Sequence, residues 1–213
     1  MDLMMIINSA SYQHYLLGLF AVANNISAIP LYLHIIQDVN PEHRNKICGT
    51  ATLTAFLTMF VAMFAGLGIL DFFEISIPAF RIAGGLLLIN TGFAMLNSEP
   101  NPISATPLSL SKIISTAVIP IGIPMTTGAG TMTTIVLFSE ASEGKPYMNF
   151  ALMAAILTMT AIIYLAFKYA PKIVKLLDTT GLDVFTKIFG LITLALGIQF
   201  VLTGITGAFP KII

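Results

Sequence analysis

The sequence predicts an all-α membrane protein: six transmembrane helices in two inverted three-helix repeats, with helices one and four broken. Three observations carry this prediction. Of 213 residues, 56% are hydrophobic and only 9% charged, where a soluble domain carries about 25% charged residues. The apolar residues fall into runs that can cross a bilayer, which takes about 20 helical residues for roughly 30 Å of hydrocarbon. Two of those runs are interrupted near their middles, at corresponding places in the two halves of the chain.

The first span is expected over 13–36. It contains FAVANNISAIPL, in which Asn24, Asn25 and Ser27 precede a helix-breaking Pro30. Asp2 and the lack of Lys or Arg before this run leave no basic n-region of a cleaved signal peptide, so this helix is expected to stay in the protein. The second span, 48–70, and the fifth, 149–169, are clean apolar helices; residues 151–167 carry no charge at all. The third, 77–97, opens AFRIAGGLLLINTGF from Ala79, and the sixth, 185–208, opens FTKIFGLITLALGI from Phe185. The fourth, 112–138, reads VIPIGIPMTTGAGTMTTIVLF, with Pro120, Pro124, Gly122, Gly128 and Gly130. Helices satisfy every backbone amide internally, as the bilayer requires.

Lys and Arg set the expected orientation. Arg44, Lys46, Lys112, Lys168, Lys172, Lys175 and Lys187 flank the odd-numbered connections, against Arg81, Lys145 and Lys211 on the other side. The positive-inside rule then puts the odd connections in the cytoplasm and both termini outside.

The halves, 13–97 and 112–208, each hold three spans. Aligning Arg81 with Lys187 places Ile82 on Ile188 and Gly84 on Gly190. An odd number of spans per half inverts the second copy, the plan of many secondary transporters, and paired Gly/Pro-interrupted helices point to the substrate site of such proteins. Candidate substrate-binding residues are therefore Asn24, Asn25, Ser27 and Pro30 at one break, and Thr127, Gly128, Gly130, Thr131 and Thr133 at the other. These uncharged donors and acceptors suit a small polar or zwitterionic solute. Small and hydroxylated residues also serve as packing surface between membrane helices. Two adjacent amides point to different faces, so the asparagine pair is the harder one to explain that way. Arg81, Lys187 and Asn90 are candidate gating or vestibule residues; for the two cations the plainer reading is snorkelling to headgroups.

All ten acids lie in connections or at span edges, and His14 stands at the mouth of span one. Coupling through an intramembrane carboxylate is therefore not expected, whereas backbone carbonyls freed at a helix break can hold Na⁺; coupling to Na⁺ or H⁺ stays open. The zero net charge gives no footprint for nucleic acid. The single cysteine, Cys48, gives no internal disulfide and no cysteine-based metal site. No Ser/His pair, Asp pair or metal-ligand cluster lies at membrane depth, so an enzyme and a bound cofactor are not expected.

Three motifs in order, FEISIPAFRIAGGLLL from Phe73, PIGIPMTTGAGTMTTIVLF from Pro120 and TGLDVFTKIFGLITLALGIQFVLTGI from Thr180, resemble signatures of the MarC family. These are six-span bacterial and archaeal inner-membrane proteins, also called the neutral amino-acid transporter family, and the resemblance covers essentially the whole chain. The family usually carries Asn-Pro in span one and Gly-Pro-Gly in span four. Here Asn24-Asn25 and Gly128-Ala129-Gly130 stand in those places, so the same proline is missing from both breaks. Set against the family pattern, the paired loss supports the expectation that the two segments are equivalents. The resemblance implies an inner-membrane transporter of small neutral amino acids such as glycine or alanine, as for some members of the family. The alternatives are export of another metabolite or a lipid-like anion, and a scaffold that transports nothing and binds partners through its helices.

Overall fold

The computed structural model describes residues 3–23, 29, 32–33, 36, 41–97 and 127–209. Within these, the chain forms α1 (Leu3–Val22), α2 (Pro41–Phe72), α3 (Ile77–Leu96), α4 (Ala129–Ala141), α5 (Pro146–Lys168) and α6 (Ala170–Ala208). Among the described residues, four stretches are long and apolar enough to cross a bilayer: Arg44–Phe72, Ile77–Leu96, Pro146–Lys168 and Thr180–Ala208. The outward side of α2 is as apolar as its buried side: Leu53, Leu57, Val61 and Phe64 are exposed while Ala51, Ala55 and Met59 are buried. In water such a helix would leave a large apolar face unpaid; in hydrocarbon it is at home.

Several helix bounds differ from the apolar runs. The first helix begins at Leu3 rather than at 13, so His14 lies well inside α1 and not at its start. The second begins at Pro41 rather than at 48, and α6 begins at Ala170 rather than at 185. Hydropathy marks what can enter lipid, whereas a helix continues wherever its backbone bonds do. Of the expected fourth span, the described part is α4, a half-length helix that starts after Gly128. α6 breaks its helical geometry at Asp178 (φ 55, ψ 174). Residues 170–177 are thus a short helix of their own before the spanning part.

Tight turns fix the order. α2 closes with Glu74 in the left-handed region (φ 54) and Ile75 N–H donating to Leu70 O at 2.9 Å, the six-to-one bond of a Schellman motif. α3 then starts with Ser76 as N-cap, its side chain accepting from Ala79 N–H, and with proline in the first turn. Gly144 (φ 72) turns the chain from α4 into α5.

The core has two parts. Leu19 of α1, Ala51, Ala55 and Met59 of α2, and Ala155, Ile156, Met159 and Ile163 of α5 form one buried cluster. The other part is the long α3–α6 contact, where a Cβ built on Gly85 would lie 2.6 Å from Gly197 O, and one on Gly92 2.9 Å from Gly190 O. A Cβ on Gly204 would lie 2.9 Å from Pro78 O. As the α3 numbers rise the α6 numbers fall, so these helices run antiparallel, backbone to backbone. Small residues that let backbones approach are what hold helices together where lipid removes the hydrophobic drive. α4 bridges the parts, with Gly66 of α2 against Val136 and Gly84 of α3 against Thr133.

Candidate functional site

α4 starts midway along α3. Its Gly130 packs against Leu88, near the middle of Ile77–Leu96, and its far end reaches Arg81, whose Nη2 lies 3.4 Å from Glu140 Oε2. α1 and α4 also run antiparallel. Tyr15 shares a hydrogen bond of 2.8 Å with Ser142, Gly18 faces Phe138, and Thr131 Oγ1 donates to Val22 O at 3.4 Å. The last turn of α1 therefore meets the first turn of α4. Thr193, fully buried midway along the spanning part of α6, donates to the neighbouring carbonyl, Ala21 O, at 2.7 Å.

This geometry answers local chemistry. A helix leaves its last four carbonyls and first four N–H groups without partners inside the helix. At the end of α1, hydroxyls of Thr131 and Thr193 meet two of those carbonyls. At the start of α4, Gly128 is the N-cap residue and has no side chain with which to cap. Its carbonyl accepts from Thr131 N–H at 2.9 Å and Met132 N–H at 3.2 Å. Glycine at this place also lets the helix begin close under its neighbours: Leu88 fills the space beside Gly130.

Of the residues singled out in the sequence, Thr127, Gly128, Gly130, Thr131 and Thr133 gather at this start of α4, and Thr127 and Thr131 are almost wholly buried. Thr133 donates to Ala129 O at 2.9 Å, and its neighbour Thr134 to Gly130 O at 2.8 Å. These protons are spent within the helix, and the Thr133 side chain packs on Gly84. Asn24, Asn25, Ser27 and Pro30 lie outside the described residues, as does the segment holding Pro120 and Pro124. Asn24 follows directly on Ala23, the residue after α1, whose N–H donates to Leu19 O.

The vestibule candidates stand apart from the meeting of α1 and α4. Arg81 pairs with Glu140, and Lys187 pairs with Asp183 one turn back at 2.8 Å. Asn90 is exposed on α3, on a different face from Leu88. Thr193 was not evident in the sequence. Its one signal is a hydroxyl placed between Gly190 and Gly197 of the close α3–α6 contact, in an otherwise apolar run. The carbonyls it and Thr131 meet belong to backbone, on which side-chain identity is silent.

The profile described as MarC family integral membrane protein matches residues 9–209. The chain belongs to the MarC family. Among its MarC-family relatives, the UPF0056 membrane protein YhcE of Escherichia coli (strain K12) is 31% identical over 205 residues, 95% of each chain. The UPF0056 membrane protein PYRAB13050 of Pyrococcus abyssi is 31% identical over 194 residues, 90% of this chain and 92% of its own. The UPF0056 inner membrane protein MarC of Escherichia coli (strain SMS-3-5 / SECEC) is 29% identical over 202 residues, 89% and 91% of the two chains. No solved structure matches the chain.

Proposed function

We propose that this MarC-family protein is a secondary transporter of small neutral amino acids of glycine or alanine size, or similar small polar solutes. The carrying observation is the meeting of two opposite helix ends midway along α3 and α6, joined by Thr131 Oγ1 on Val22 O. A helix C-terminus carries about half a negative charge and an N-terminus about half a positive one. A zwitterion matches that pair. Its carboxylate would take the first N–H groups of α4, which Gly128 cannot cap, and its ammonium the second lone pairs of the Ala21 and Val22 carbonyls, beside the threonine hydroxyls. Asn24, Asn25 and Ser27 would supply further uncharged partners beside the end of α1. On this reading the chain is a carrier and not an enzyme.

The accompanying architecture is six spans in two inverted repeats, 13–97 and 112–208, rocking about the site. The antiparallel α3–α6 contact supports it, because a two-fold axis would exchange the pair Gly85–Gly197 with the pair Gly190–Gly92. That relation matches Gly85 to Gly190 and Gly92 to Gly197, one residue away from the register that aligns Arg81 with Lys187. Cys48 Sγ on Tyr164 O at 3.8 Å brings the start of α2 to the end of α5. Arg44, Lys46, Lys168, Lys172, Lys175 and Lys187 thus gather at one end, which the positive-inside rule assigns to the cytoplasm. Both termini would then lie outside, in an inner (plasma) membrane like that named for the Escherichia coli relative.

Proteoliposomes should take up labelled glycine or alanine saturably, and imposed Na⁺ and pH gradients should identify the coupling ion. Absence of saturable flux for every small amino acid would sink the proposal. Asn25→Leu should abolish uptake while leaving membrane insertion intact. One observation favours a second reading. A groove of about 530 Å³ between α2 and α3 is floored by Ala129, Met132 and Thr133 of α4 and lined almost wholly by apolar atoms. It would suit the acyl part of a lipid-like anion, and a counter-screen with phosphorylated and lipidic solutes separates the two.

A further inference from the structure

Residues 170–177 form a short helix between the end of α5 and the kink at Asp178, before the spanning stretch begins at Thr180. Its inner stripe is Ala170, Ile173, Val174 and Leu177, of which Ala170, Ile173 and Val174 pack on the core. Its outer stripe is Pro171, Lys172, Lys175 and Leu176, all exposed. That three-four spacing of inward residues is the pattern of a helix lying along a surface. Two aromatic rings stand under the neighbouring cations. Lys168 Nζ lies 5.3 Å from the centre of the Tyr164 ring, and Lys172 Nζ 5.4 Å from that of Tyr169.

Lys168, Lys172 and Lys175 make no ion pair with a described carboxylate. The described carboxylates nearby in sequence are Asp183, held by Lys187 at 2.8 Å, and Asp178 at the kink. Lys46, at the start of α2, adds a further exposed cation at this end of the molecule. Leu176, beside the two lysines of the outer stripe, is 85% exposed. A free phosphate would use the lysines and leave that leucine in water. A phospholipid uses both, because its phosphate meets the ammonium groups while its acyl region covers the leucine. Tyrosine is favoured at headgroup depth, and the ammonium groups of Lys168 and Lys172 lie over two such rings.

We infer that the corner between α5 and α6 is a binding site for an anionic phospholipid headgroup, built from Lys168, Lys172 and Lys175 with Leu176 dipping into the acyl layer. The site is separate from the meeting of α1 and α4 and does not depend on the transport reading.

Native mass spectrometry of detergent-solubilised protein tests it, with phosphatidylglycerol and phosphatidylcholine of the same chains titrated separately. Wild type should retain phosphatidylglycerol at least tenfold more tightly than phosphatidylcholine. Each lysine near an anionic surface is worth about fivefold, so the variant K168Q/K172Q/K175Q should lose at least tenfold. K168R/K172R/K175R should keep the binding, and Leu176→Ser should weaken it several-fold with the charges intact. Circular dichroism and size-exclusion profiles check that each variant is folded. The inference is overturned if the glutamine variant, folded, binds phosphatidylglycerol like wild type, or if the two lipids bind equally. It is likewise overturned if glycerol phosphate displaces phosphatidylglycerol at equal concentration, which would make the corner a free-phosphate site.

Discussion

Gly197→Ala should destabilise the protein, although alanine is the better helix former by about 1 kcal/mol. The added Cβ would lie 2.7 Å from Gly85 O, 2.8 Å from Ile89 N and 2.9 Å from Ile89 Cγ1, where ordinary contact begins at 3.4 Å. Two of those atoms are backbone and cannot rotate aside. α3 and α6 must therefore part by about 0.7 Å, forfeiting a share of the dispersion contacts along their length. Overpacking of this kind costs about 1–3 kcal/mol, which leaves a net loss of about 1 kcal/mol after the propensity gain. Gly68, also in a helix, has open space around it, so Gly68→Ala should stabilise by up to about 1 kcal/mol. Reversible unfolding in mixed micelles, followed by far-ultraviolet circular dichroism, measures both. The close-packing argument fails if Gly197→Ala is as stabilising as Gly68→Ala. A Cβ on Gly85 would meet Gly197 O at 2.6 Å, the reciprocal contact. One separation of the helices relieves both clashes, so the double variant should cost less than the sum of the singles.

Three further outcomes follow from the contacts. Thr193→Val keeps the shape but removes the donor 2.7 Å from Ala21 O; it should cost about 1–2 kcal/mol in the same unfolding assay and lower amino-acid uptake. Tyr15→Phe deletes a buried hydrogen bond of 2.8 Å to Ser142 Oγ, which keeps its bond to Phe138 O; about 1 kcal/mol of stability should go, with transport kinetics little changed. Gly130→Ala presses on Leu88, which is fully buried and must repack; it should cost about 1–3 kcal/mol, while uptake falls because the start of α4 is narrowed.

Much of this was readable in the sequence. The apolar runs located the helices because lipid admits few charges, and the start of α3 at Ile77 falls where the run begins. The interruption at Gly128 marked the start of α4, because glycine ends one stretch of helix and permits another to begin close to its neighbours. Helix ends beyond the membrane were less legible. Residues 3–12 and 170–177 are helical although they lie outside the expected spans, since backbone bonding does not need hydrophobicity. Arg81 and Lys187 align in the sequence as corresponding cations, yet each has a different kind of carboxylate partner, Glu140 from α4 for one and Asp183 from the same helix for the other. Only the second of those partners, one turn away, could be seen in the chain itself.

Composition and the length of the apolar runs determined by themselves that this chain lives in a bilayer. They act one residue at a time, through the cost of moving each side chain from water into hydrocarbon. What the tertiary structure decided is which helix ends meet. Thr131 reaches Val22 O across 109 positions of chain, and Thr193 reaches Ala21 O across 172. Such pairings depend on how closely backbones approach at Gly84, Gly85 and Gly130, and so on the absence of side chains at places whose neighbours the linear order does not name.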